Sequence, residues 1–139
     1  MKLFLDTSVL LAACGSAQGS SHALFGYAPA QGWTLMTSPW VVTEVVRNLP
    51  KFPLSATGEW LRLRPQLVLV DDVVSLNQAV VFPVSKDRPV LLTALAWAQV
   101  LLTLDVGDFG GLLGGHFYGM PILSPAEFLE GERSAGRLK

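Results

Sequence analysis

The chain has 139 residues and a mass of 15.0 kDa, the size of one domain whose core needs neither disulfides nor a structural metal. Half of its residues are hydrophobic, only 15% are charged and the mean hydropathy is +0.43; this excludes a disordered chain and predicts apolar surface left over for a partner or a second copy. Ten basic and eleven acidic residues give a net charge of −1, which excludes a polybasic nucleic-acid binder that holds its ligand by bulk charge.

In chain order, Leu3-Phe4-Leu5 reads as a short apolar strand that stops at Asp6-Thr7-Ser8. The apolar run 9–13 opens a helix capped by Ser8 or Asp6. Residues 15–21 read as a polar loop and 22–30 as a second helix, ended by Pro29 and Gly32. Thr34-Leu35-Met36-Thr37 reads as a strand, and Ser38-Pro39 as an N-cap with proline at the first helical position. That helix runs to about Asn48. A further helix over 54–63 stops near Pro65, and 67–70 is a strand ending at Asp71-Asp72, a turn and helix cap.

Residues 73–81 read as a helix broken by Phe82-Pro83, and Asp87-Arg88-Pro89 opens another through about Ala98. Residues 100–104 form a buried strand ending at Asp105. A glycine-rich loop over 107–115 follows; it lacks the spacing of a phosphate-binding loop. Pro121-Ile122-Leu123 is a last strand, and Ser124-Pro125-Ala126-Glu127 has the pattern of a capping box. Residues 1–130 therefore read as one domain, with 131–139 a frayed polar tail. Uniformly apolar strands alternating with helices predict an α/β fold, a three-layer α/β/α sandwich around a mainly parallel sheet of about five strands.

Asp6 interrupts the first apolar run before it reaches signal-peptide length. The charge-free stretch between Arg88 and Asp105 is shorter than the ~20 apolar residues of a membrane span, so no membrane association is expected. A single cysteine, Cys14, cannot form an internal disulfide and points to a reducing, cytoplasmic compartment. His22 and His116 are too few for a histidine zinc site and read as surface or loop residues. Trp33, Trp40, Trp60 and Trp97 are assigned to core or interface in preference to nucleobase stacking.

The candidates for chemistry are acidic. Asp6 and Asp105 each lie just past the C-terminal end of a predicted strand, where open α/β sheets bind ligands. Glu44 sits mid-helix among Val41, Val42, Val45 and Val46, and Asp87 opens the helix that leads to the Asp105 strand. Asp108 follows closely. Each also has an ordinary structural reading: a helix cap for Asp6 and Asp87, a solvated helix acid for Glu44, a turn for Asp105 and Asp108. Brought to one sheet edge, these carboxylates would repel one another unless protonated or met by a cation. Oxygen ligands without Cys or His select Mg²⁺ or Mn²⁺, and such ions activate water against a phosphodiester. Arg47, Lys86 and Arg88 lie close in sequence to these acids and are the candidate phosphate contacts.

Four segments, in this order, resemble the PIN-domain family, including the VapC-type toxins of bacterial toxin–antitoxin pairs. Residues 3–11, Leu-Phe-Leu-Asp-Thr-Ser-Val-Leu-Leu, are similar to the family's opening strand, and residues 38–45, Ser-Pro-Trp-Val-Val-Thr-Glu-Val, to its acidic helix. Asp87 with the run 89–96 is similar to the helix of the third acid. Residues 102–109, Leu-Thr-Leu-Asp-Val-Gly-Asp-Phe, are similar to the family's closing acidic motif. The resemblance implies a metal-dependent ribonuclease acting on mostly single-stranded RNA and leaving 3′-hydroxyl and 5′-phosphate ends. It implies that Asp6, Glu44, Asp87 and Asp105 are the catalytic, metal-binding set, with Asp108 accessory. It further implies that Ser8 and Thr103 hydrogen-bond within the site, and that the partners are a small antitoxin protein and a second copy of the chain. The competing reading is a non-catalytic module of the same fold that binds a protein partner or RNA. A haloacid-dehalogenase-type phosphatase needs a second Asp two positions after the first, where Ser8 stands. A response-regulator receiver needs a late Lys, and none lies between Lys86 and Lys139.

Overall fold

The computed structural model describes residues 1–73, 88–105 and 114–138, with backbone only at 88 and 89. The strands are β1 (Lys2–Leu5), β2 (Thr34–Thr37), β3 (Val68–Leu69), β4 (Val100–Leu102), β5 (His116–Phe117) and β6 (Met120–Leu123). The α-helices among the described residues are α1 (Thr7–Gly15), α2 (Ser20–Gln31), α3 (Pro39–Asn48), α4 (Leu54–Leu63), α5 (Arg88–Trp97) and α6 (Pro125–Ser134). Short 3-10 turns at Leu49–Lys51 and Arg64–Gln66 follow α3 and α4.

The strands form one sheet in the order β3-β2-β1-β4-β6-β5, parallel except for the β5–β6 pair. With its helices it makes the α/β/α architecture expected. β1 is central, and Leu3, Phe4 and Leu5 are all fully buried. A strand covered on both faces has no polar side to present, hence its uniformly apolar sequence. The chain builds β2 and β3 on one flank of β1, then returns to place β4 on the other. The junction between β1 and β4 is thus a topological switch point, where a crevice opens at the strands' carboxyl ends.

Several local expectations are corrected. Pro29 does not end the second helix. It lies inside α2, which runs to Gln31 and stops at Gly32 in the left-handed conformation (φ 71°). Pro29 has no N–H to donate to the Phe25 carbonyl, so one helical bond is lost, but only Ala30 and Gln31 follow it in the helix. The helix also begins earlier, at Ser20 within the expected loop. Ser38 precedes α3 but its side chain makes no capping bond. Asp72 caps this helix instead, its carboxylate accepting from the Trp40 N–H at 3.1 and 3.3 Å.

The sheet has six strands because a short hairpin precedes the last expected one. Tyr118 (φ 49°) and Gly119 (φ 85°) are both left-handed, the conformation of a tight hairpin turn. The Ser124–Glu127 capping box forms as expected. The frayed tail after Glu130 does not. Helix α6 continues to Ser134, Glu132 is buried, Arg137 Nε donates to its carboxylate at 2.6 Å, and Leu138 is buried in the core.

His22 lies on α2, within the helix expected from residue 22, and it joins α2 to α4 through Glu59 at 2.9 Å. The Arg62 guanidinium and then the His22 ring hold the Glu59 carboxyl down at about 2. Of the four tryptophans assigned to core or interface, Trp33 and Trp60 are buried in the core and Trp40 and Trp97 are exposed. The expected helix over 73–81, Lys86, Asp87, Asp108, the side chain of Arg88 and most of the glycine-rich loop lie outside the described residues. Among the described residues no helix is long and apolar enough to cross a membrane.

Candidate metal centre

The site forms where β1 and β4 end. Asp6 is the N-cap residue of α1, and its N–H donates to Leu102 O at 3.1 Å, locking the two strand ends together. Its side chain makes no capping bond to that helix. The carboxylate instead points into a hydroxyl network. Thr103 Oγ1 donates to Asp6 Oδ2 at 2.8 Å and Ser8 Oγ donates to the same atom at 3.3 Å. The two hydroxyls stand 3.4 Å apart. Ser8 Oγ accepts from Leu104 N at 2.9 Å, and Thr103 Oγ1 accepts from Asp105 N at 3.1 Å. These bonds fix the turn that presents Asp105. Ser8 and Thr103 both hydrogen-bond to Asp6.

Glu44 arrives from α3. Its carboxylate accepts from Thr7 Oγ1 at 3.5 Å, and its backbone carbonyl accepts from Asn48 Nδ2 at 2.8 Å. Asp6, Glu44 and Asp105 line one cavity of about 210 Å³, together with Thr7, Ser8 and Asn48. Three of the four carboxylates expected at the site are thus brought to one cavity. The fourth, Asp87, and the accessory Asp108 lie outside the described residues. The described start of that helix does reach the site, because Val90 also lines the cavity. Among the described residues no three Asp, Glu, His or Cys side chains stand close enough to form a complete metal cage.

The electrostatics follow from burial. Asp6 is only 7% exposed, and loss of water pushes its carboxyl from 3.8 up to about 6. The hydrogen bonds from Thr103 and from the Thr7 backbone oppose the rise; the nearby negative charges of Glu44 and Asp105 add to it. A buried acid held among other acids, with its hydroxyl donors already in place, concentrates negative charge that a bound cation would offset. The donor set is all oxygen, which suits a hard ion such as Mg²⁺ or Mn²⁺.

Thr7 and Asn48 were not singled out in the sequence. Asn48 lies one helical turn beyond Glu44, so helical spacing alone would have found it. Asn48 Oδ1 also accepts from Lys51 Nζ at 3.0 Å, bringing a cation to a residue that lines the cavity. Arg47 lies on α3 and lines a neighbouring cavity that shares Glu44. No protein-family model matches the chain, and no curated protein matches it.

Proposed function

We propose that this chain is a metal-dependent endoribonuclease of PIN-domain type, hydrolysing phosphodiester bonds of single-stranded RNA as the toxin of a toxin–antitoxin pair. The observation that carries the reading is the meeting of Asp6, Asp105 and Glu44, from two strand ends and a helix, in one cavity at the switch point of a parallel sheet. Asp6, Glu44 and Asp105 would hold Mg²⁺ or Mn²⁺, with Asp87 and Asp108 completing the set. When bound, the ion polarises the phosphodiester and lowers the pKa of its water.

The chain's own residues have separate tasks. Ser8 and Thr103 saturate one oxygen of Asp6 and so set the direction of the other. Thr7 steadies the Glu44 carboxylate, and Asn48 ties to its backbone. Arg47, Lys86 and Arg88 are the candidate phosphate contacts, and they are needed because the whole chain supplies no net positive field. A small antitoxin, self-association into a homodimer and a cytoplasmic location complete the proposal; the high apolar fraction supports a protein partner.

The second reading is a non-catalytic module of the same fold. The low basic content of the chain favours a protein partner over RNA for it. Incubation of the protein with a fluorescent single-stranded RNA in Mg²⁺, Mn²⁺ or EDTA separates the two, beside Asp6→Asn. Cutting that needs metal and disappears in the variant is expected. Undiminished cutting in EDTA or by the variant would overturn the assignment. No cutting, combined with no Mn²⁺ binding by calorimetry, would favour the module.

A further inference from the structure

Beside the acid cavity lies a second one of about 270 Å³, walled by Pro39, Trp40, Thr43, Glu44, Arg47 and Asp72. Glu44 belongs to both. Trp40 is 45% exposed, unusual for the side chain with the most apolar area to hide. Its backbone is fixed by the Asp72 carboxylate, which caps α3 at Trp40 N. A large flat ring is therefore held half-open on a rigid helix, one turn (about 6 Å along the axis) from a carboxylate of the candidate metal centre.

We propose that this cavity is a nucleobase subsite, in which the Trp40 indole stacks one unpaired base of the RNA strand whose phosphodiester enters the acid cavity. The inference rests on the ribonuclease reading above. Three observations carry it. The wall is mostly apolar and includes an exposed aromatic face, the feature on which single-stranded nucleic acid is gripped without base pairing. Arg47 supplies a cation beside that face in a chain otherwise short of basic residues, suited to the phosphate next to the stacked base. Glu44 is a wall common to both cavities, so they are immediate neighbours within reach of one strand.

The two carboxylates limit the choice of occupant. Asp72 is committed to the α3 cap, and Glu44 faces the acid cavity. Their negative charge disfavours a phosphate on their side of the cavity and leaves it to the Arg47 side. Stacking depends on a π-face, so Phe should replace Trp40 and Leu should not. The same exposed ring on a protein–protein interface would be indifferent to oligonucleotide.

The test uses a fluorescein-labelled eight-nucleotide oligocytidine and the full chain carrying Asp6→Asn, in Mg²⁺, read by anisotropy. Adding Trp40→Ala or Trp40→Leu is expected to weaken binding roughly tenfold, and Trp40→Phe less than threefold. Adding Arg47→Gln is expected to flatten the salt dependence of binding. In the otherwise wild-type chain, Trp40→Ala should raise KM for the RNA more than it lowers kcat. Binding or cutting that survives Trp40→Ala unchanged would overturn the subsite and leave the ribonuclease reading standing. So would a Trp40→Ala variant that dissociates a dimer in sedimentation velocity yet binds oligocytidine normally; that result would assign the ring to self-association. An unvaried chain that neither binds the oligonucleotide nor cuts RNA would remove both proposals together.

Discussion

Thr103 Oγ1 donates to Asp6 Oδ2 at 2.8 Å across 97 positions of sequence, and both side chains are buried where β4 and β1 end side by side. The bond links the two strand ends that carry Asp6 and Asp105. Removing the hydroxyl while keeping the shape leaves a buried carboxylate with one donor fewer. Thr103→Val should therefore lower stability by about 1–3 kcal/mol at neutral pH in EDTA, while Thr103→Ser should stay near wild type. Urea unfolding of the three proteins checks this; equal midpoints for Val and wild type would remove Thr103 from the support of Asp6.

Asp6 also predicts a pH dependence. Its folded pKa of about 6 lies above the ordinary value of 3.8, so the folded protein holds this proton more tightly than the unfolded chain. The resulting contribution to stability is complete below pH 3.8 and is lost as pH rises through 6. In EDTA, Asp6→Asn should thus gain on wild type between pH 4.5 and pH 7.5, by on the order of 2 kcal/mol. Denaturant unfolding of both proteins at the two pH values measures the difference. A gap that is constant with pH would show that Asp6 titrates normally.

The start of α3 supports a paired test. Ser38 Oγ is buried and, among the described residues, has no hydrogen-bond partner, whereas Asp72 caps the helix from a distant turn. Ser38→Ala should leave stability unchanged or raise it slightly, because no bond is lost and an unpaired buried hydroxyl disappears. Asp72→Ala should cost about 1 kcal/mol. The reverse ranking in thermal or urea unfolding would restore Ser38 as the cap.

The chain end carries a further expectation. Leu138 is only 6% exposed and the turn before it is tied to Glu132 by the Arg137 and Leu138 N–H groups. Leu138→Ala should lower stability by about 2–3 kcal/mol, as for other buried leucines. A change under about 0.5 kcal/mol in urea unfolding would return this segment to a solvated tail.

What the sequence makes legible is local. β2 at Thr34–Thr37 and α4 at Leu54–Leu63 match their expected limits because a turn signal or proline brackets each. The capping box at Ser124 forms because both partners lie within four residues. Asp6 was legible as a candidate from its place at a strand end and Glu44 from its place among valines on a helix, whereas Ser8 and Thr103 came only with the family resemblance. What was hidden depends on distance. The Asp72 cap spans 32 positions, and Ser38-Pro39 carries the same local signal whether or not its hydroxyl is used. The Glu132–Arg137 pair turns a polar sequence into a packed hook, which composition alone reads as a tail. The exposure of Trp40 depends on which face α3 turns outward, and apolar residues occur on several of its faces.

The account stands or falls on whether Asp6, Glu44 and Asp105 hold a divalent ion. Crystals soaked in Mn²⁺ and measured at a wavelength where manganese scatters anomalously test this most directly. The account predicts an anomalous peak in the cavity between those three carboxylates, absent from Asp6→Asn crystals treated in the same way. A well-ordered site with no peak at saturating Mn²⁺, or a peak bound elsewhere on the protein, would contradict it.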